Sequence, residues 1–210
     1  MNRMHAANCV NQVKKTIPMP PHSRIGLFGG TFDPIHLGHV HLAGVARDAL
    51  GLDEVRFLPC RISPHKSGTS PAPAADRLEM LRRATRDIPW AVVDDWELTS
   101  SEPSYSVLTA RAMAARDTDA RLFWIMGADQ WDVLQTWQDP DVLASLVEFI
   151  VLARDGQHPA PRDGYHLHVV HGEHPASATT IRQAANAGHT EIPWLHPQVA
   201  QWIGGRRLYA

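Results

Sequence analysis

Cysteine is scarce in this chain: Cys9 and Cys60 are the only two among 210 residues. Two thiols cannot build a disulfide framework, and neither has a second cysteine at zinc-site spacing. A reduced, cytoplasmic setting is the economical expectation. Long apolar runs are missing too. No stretch approaches the roughly 20 residues needed to span a bilayer, so no membrane partner is expected. An excess of one charge is also absent: Lys and Arg number 20, Asp and Glu 22, and the formal net charge is −2. Such a balance gives no electrostatic grip on nucleic acid, although local basic clusters can still hold a small phosphate-bearing ligand.

Residues 1–23 carry Arg3, Lys14 and Lys15 but no apolar run after them, so a secretion signal is not expected. The segment is polar, closes on Pro18, Pro20 and Pro21, and reads as a flexible extension of one domain over 24–210. With 44% hydrophobic residues, that domain can bury one sizeable core. No internal repeat is found.

Beyond Pro21 short apolar runs alternate with helical periodicity. Residues 25–28, 55–58, 91–93, 122–126, 149–152 and 168–170 read as strands. Leu42, Val45, Ala46, Ala49 and Leu50 recur at helical spacing, and Gly51 is placed to end that helix. A second helix is expected over 76–86, with Asp76 as its N-cap and Leu78, Leu81 and Ala84 facing inward. Further helices are expected over 105–115, 141–147, 179–187 and 198–203, and a loop over 63–75. This alternation predicts a doubly wound α/β fold, a Rossmann-like parallel sheet with helices on both faces. Ligands in such folds bind outside the carboxyl ends of the strands, so chemistry should gather in the turns that follow them.

One such turn is Gly29-Gly30-Thr31-Phe32-Asp33-Pro34-Ile35-His36-Leu37-Gly38-His39, between the first strand and the first helix. Glycines let the backbone approach a ligand, and a helix start offers free N–H groups to phosphate. His36 and His39 share one helical face, and two imidazoles there can donate to phosphate oxygens as charge builds on them. A surface-histidine reading is the bland alternative in a chain with 13 His. A metal reading fails on spacing: His41 points off the shared face, and no carboxylate or thiolate completes a set, so no protein-held metal is expected.

GGTFDPIHLGH resembles the signature of the HxGH nucleotidyltransferases, which move nucleotidyl groups from ATP or CTP. A second motif of that superfamily is matched by Ser177-Ala178-Thr179-Thr180-Ile181-Arg182. The resemblance implies an ATP site built from Gly29, Gly30, Thr31, Phe32, His36, Gly38 and His39 on the first motif. Ser177, Thr179, Ile181 and Arg182 supply it from the second. His36, His39, Lys66 and Arg182 are the implied catalytic set, stabilising the reacting phosphates. Four stretches between the motifs resemble the nicotinate-mononucleotide adenylyltransferase branch: Ser63-Pro64-His65-Lys66, Pro103-Ser104-Tyr105-Ser106, Gly127-Ala128-Asp129-Gln130-Trp131 followed by Trp137, and Val151-Leu152-Ala153-Arg154. Asp155 stands where that branch carries proline.

The implied mononucleotide site uses Lys66, Tyr105, Ser106, Gly127, Asp129, Gln130, Trp131 and Arg154, with Trp131 stacked on the pyridine ring. ATP and nicotinate mononucleotide are the implied substrates. Mg²⁺ is expected as the cofactor, bound mainly through ATP phosphates. A related enzyme using the amide mononucleotide or phosphopantetheine, and a non-catalytic nucleotide-binding protein, are the alternatives. The sequence leaves open whether the chain forms a homo-oligomer.

Overall fold

The computed structural model describes residues 23–61 and 70–210. The expected extension therefore lies outside the described residues apart from Ser23, whose carbonyl already accepts the Arg121 N–H at 2.8 Å. Lys66 and its neighbours in 62–69 also lie outside them.

Among the described residues six strands form one sheet: β1 (Arg24–Gly30), β2 (Glu54–Pro59), β3 (Ala91–Val93), β4 (Arg121–Gly127), β5 (Glu148–Ala153) and β6 (Leu167–His171). Every pairing is parallel, and the order is β3-β2-β1-β4-β5-β6. Among the described residues eight α-helices accompany them: α1 (Leu37–Leu50), α2 (Ala74–Thr85), α3 (Trp96–Thr99), α4 (Ser106–Arg116), α5 (Ala128–Asp132), α6 (Pro140–Leu146), α7 (Ala178–Asn186) and α8 (Pro197–Arg206). A 3₁₀ turn, Leu134–Thr136, follows α5.

The period of two along a strand sorts side chains between two cores. On β4, Phe123 and Ile125 join the core shared with α1, α2, α7 and α8, while Leu122, Trp124 and Met126 join the core under α4, α5 and α6. Both faces of the sheet are thereby covered, which parallel strands require. The order reverses between β1 and β4, and the crevice at such a reversal is where doubly wound folds bind ligands. Among the described residues no helix is long and apolar enough to cross a membrane.

Two expectations are corrected here. On α1, Leu42, Val45, Ala46 and Leu50 pack with Ala43 into the core as expected, but Ala49 is exposed. A left-handed Gly51 (φ 60) ends this helix, as its position suggested. Asp76 is not a cap, because Pro73 holds that position. Its carboxylate is buried and accepts from Trp202 Nε1 and Arg206 Nε, both at 3.1 Å, tying α2 to α8. A buried carboxylate needs such partners. The four-residue α3 was not foreseen; it is too short to show a period.

Candidate active site

Two adjoining cavities open at the carboxyl ends of β1 and β4 and share Gly30 and Thr31. One, of about 860 Å³, is lined by residues that include Phe32, Asp33, His39, Thr179, Arg182 and Tyr209. The other, of about 400 Å³, takes in Gly29, Cys60, Glu97, Ser104, Ser106, Gly127, Asp129, Gln130 and Trp137. A further hollow of about 940 Å³ between the ends of α7 and α8 contains none of the motif residues.

The two histidines form a reciprocal cap at the start of α1. His36 Nδ1 accepts the His39 N–H, and His39 Nδ1 accepts the His36 N–H, each at 3.3 Å. This is a capping box made from imidazoles in place of Ser and Glu. It also fixes the tautomer, since a nitrogen that accepts carries no proton and the hydrogen of a neutral ring must then sit on Nε2. Each ring is thus a preset Nε2–H donor. The rings stack with centroids 3.7 Å apart. His39 lines the larger cavity, whereas His36 packs behind it and is 8% exposed. Burial first, then the nearby His174, holds the His36 imidazole down to about 4, so it is neutral near pH 7.

Gly38 serves this pair. A Cβ there would meet His36 Nδ1 at 3.0 Å and His174 Nδ1 at 3.1 Å. The glycine therefore makes room for imidazoles. Phe32 takes a left-handed backbone (φ 48), unusual for a bulky residue. Its ring is buried, edge-on to His39 at 5.2 Å, and would be struck by a side chain at Gly30. Gly29 faces Trp124, whose ring lies 3.2 Å from where a Cβ would be.

On the second motif, Arg182 reaches back across the cavity. Its Nη1 donates to the Asp33 peptide oxygen at 2.7 Å and its Nη2 to Thr179 Oγ1 at 3.3 Å. Ser177 is the exposed N-cap residue of α7, with no side-chain cap bond. Ile181 is 2% exposed and belongs to the core, so only its backbone can face a ligand.

In the smaller cavity, Asp129 and Gln130 are joined by a 3.0 Å hydrogen bond, and a side chain at Gly127 would strike Asp129 Oδ1 at 2.5 Å. On this side Trp131 is corrected, and two other expected residues stand off the cavity wall. Trp131 is 1% exposed, packs edge-on against Phe149, and donates Nε1–H to the Ala160 carbonyl at 3.0 Å; it cannot stack on a ligand. Trp137, after the 3₁₀ turn, lines the cavity, as does the largely buried Trp124 of β4. Tyr105 packs against the core beneath α4, leaving Ser106 and Ser104 at the cavity wall. Arg154 is exposed in a turn closed by its own N–H to Gln157 Oε1 at 2.9 Å, and it lines neither cavity.

Two further wall residues were missed. Glu97 is a 4% exposed carboxyl at the smaller cavity, accepting from Thr109 Oγ1 at 2.7 Å; burial raises its pKa. Arg77 is 1% exposed and donates to the peptide oxygens of Thr31 (2.7 Å), Ala72 (3.0 Å) and Arg61 (3.3 Å). A signal existed for Arg77: with Leu81 and Ala84 it shares the buried stripe of α2. Among the described residues no group of three His, Cys, Asp or Glu side chains is placed to hold a metal.

Residues 27–184 match the family model described as cytidylyltransferase-like. A protein of Desulfatibacillum aliphaticivorans is 35% identical over 217 aligned positions, covering 89% of this chain and 99% of its own length. One of Lactiplantibacillus plantarum is 35% identical over 196, covering 93% and 92%. Both are named probable nicotinate-nucleotide adenylyltransferase. The structure of Plasmodium falciparum nicotinic acid mononucleotide adenylyltransferase complexed with NaAD superposes with a TM-score of 0.72 at 17% identity, over 90% of this chain and 98% of that one, a likeness of fold. With a family model spanning most of its length and relatives matching nearly end to end, the chain belongs to the cytidylyltransferase-like nucleotidyltransferases and, among them, to the nicotinate-nucleotide adenylyltransferase family.

Proposed function

We propose that this protein transfers the adenylyl group of ATP to nicotinate mononucleotide, giving deamido-NAD and pyrophosphate. One observation carries the reading: two cavities, each lined by a different motif set, meet at Gly30–Thr31 beside His39. That is the layout needed to bring two nucleotides together at one phosphorus.

A phosphate oxygen of the mononucleotide attacks the α-phosphorus of ATP. The new P–O bond forms as the bond from the α-phosphorus to the bridging oxygen breaks, and pyrophosphate leaves with that electron pair. The attacking oxygen is already anionic at neutral pH, so no enzyme base or nucleophile is required. Catalysis then consists of alignment and charge stabilisation. His39 offers its preset Nε2–H to the phosphates, and the stacked His36 holds that ring in place. Arg182 and Thr179 face the triphosphate from α7, and Lys66 joins them on the strength of its motif. Asp129 is an acceptor-only carboxylate, suited to sugar hydroxyls and not to phosphate. Trp137 offers its face to the pyridine ring. The described residues are phosphate donors and not a metal cage, so Mg²⁺ would be bound through the triphosphate and water, where it would neutralise phosphate charge.

The test is chromatography of products from ATP and nicotinate mononucleotide. The reading predicts one deamido-NAD for each pyrophosphate. Pyrophosphate without a dinucleotide, or no reaction in a folded chain that binds ATP, would contradict it.

A further inference from the structure

One carboxylate at the larger cavity joins distant parts of the chain. Asp33 Oδ1 accepts the Ala72 N–H at 3.0 Å and the Tyr209 hydroxyl at 2.7 Å. The peptide oxygen of the same residue accepts from Arg182 Nη1 at 2.7 Å. Asp33, Arg182 and Tyr209 all line that cavity.

Tyr209 follows α8, and the segment that carries it is held in place. Arg207 (φ 50) closes α8, the Leu208 N–H donates to the Ile203 carbonyl at 3.0 Å, and Tyr209 (φ 70) packs its ring on the first core. Left-handed backbone is unfavourable for residues with a Cβ, so it persists only where surrounding contacts over-determine it. The contact that reaches the site is the tyrosine hydroxyl on Asp33.

We propose that Tyr209 is a positioning residue for adenylyl transfer: it fixes Asp33, and through the Asp33 peptide oxygen it sets the direction of the Arg182 guanidinium in the nucleotide cavity. This rests on the reading of that cavity as the ATP site. Burial, reinforced by Asp33, pushes the phenol pKa far up, so the hydroxyl stays a donor throughout the working pH range. Phenylalanine at 209 would keep the packing and remove only this bond. The Asp33 side chain would then be left to the Ala72 N–H, with Arg182 Nη1 no nearer to its Oδ2 than 4.0 Å.

ATP affinity measured by calorimetry without the acceptor, together with steady-state kinetics, tests the assignment. Tyr209→Phe should weaken ATP binding by roughly tenfold, the scale of one hydrogen bond to a charged group. KM for the mononucleotide should stay within about twofold, because that ligand occupies the other cavity. Asp33→Asn, which keeps an oxygen for the tyrosine, should retain most of the affinity that Asp33→Ala loses. In an Arg182→Ala background, Tyr209→Phe should change ATP affinity no further. Unchanged affinity in Tyr209→Phe, or full additivity with Arg182→Ala, would overturn the proposal. So would equal losses for both ligands with a large fall in Tm, the mark of general loosening. A wild-type chain that binds ATP but makes no dinucleotide would contradict the proposed reaction alone, since the calorimetric comparison still decides Tyr209. Failure of the wild type to bind ATP would overturn both.

Discussion

A single methyl group at position 38 should separate stability from turnover. The added Cβ of Gly38→Ala lies 3.0 Å from His36 Nδ1, 3.1 Å from His36 Cε1 and 3.1 Å from His174 Nδ1. Comfortable contacts begin near about 3.5 Å, so the His36 ring must shift by about 0.5 Å. It cannot recede independently, because it stacks on His39 at 3.7 Å and the two residues cap each other through 3.3 Å hydrogen bonds. Losing one cap bond costs about 1 kcal/mol, while Ala in place of Gly inside a helix returns about 0.5–1 kcal/mol. The two nearly cancel, and Tm should move by no more than about 4 °C. Turnover has no such compensation. A displacement of about 1 Å at reacting groups costs roughly 10²-fold, so half of that predicts a fall of roughly tenfold in kcat. Initial rates of pyrophosphate release and thermal melting on the same preparation would decide. A folded Gly38→Ala protein with kcat within twofold of wild type would refute the claim that this glycine sets the histidine geometry.

The remaining predictions follow from the same walls. His39→Ala should lower kcat by about 10²–10³-fold, the range for losing one transition-state donor, with a much smaller fall in ATP affinity by calorimetry. Trp137→Ala should raise KM for the mononucleotide by about tenfold, consistent with about 1–3 kcal/mol for a stacked ring, and should cost less stability than a fully buried tryptophan, since Trp137 is only partly buried against the second core. Trp131→Ala should do the reverse, costing about 3–5 kcal/mol in urea unfolding through its lost core packing. On acidification the unfolded chain protonates His36 near its ordinary 6.5, while the folded chain holds that group neutral down to about 4. Its contribution to stability is therefore present above about pH 6.5 and lost as pH falls toward 4, by at most about 3 kcal/mol. His36→Asn should flatten that part of the pH–stability curve, and an unchanged slope would disprove the assignment.

What could be read from the chain beforehand follows the range of each interaction. The six strands and the pairing of His36 with His39 at the start of the first helix were legible because they depend on period and spacing within about a dozen residues. The choice between Trp131 and Trp137 was not. Both belong to one motif, and the 3₁₀ turn at Leu134–Thr136 changes the residue period between them, so spacing alone could not say which ring faces the cavity. Tyr105 and Ile181 were assigned to ligand for the same reason: a motif marks the segment, and only packing decides which of its side chains point into the core. The Tyr209–Asp33 bond joins residues 176 apart and leaves no local trace. Asp76 combined cap chemistry with a core position, and its partners on α8, Trp202 and Arg206, won.

Acid-over-amide selectivity tests the central assignment most directly. Nicotinate mononucleotide and its amide differ in one group, which accepts hydrogen bonds only in the acid and also donates them in the amide. Initial rates should be compared side by side at matched ATP and Mg²⁺. The acid should be used with kcat/KM at least about 10²-fold above the amide, the scale at which a mispaired polar group discriminates. Equal use of both substrates, or preference for the amide, would contradict the assignment of nicotinate mononucleotide as the acceptor.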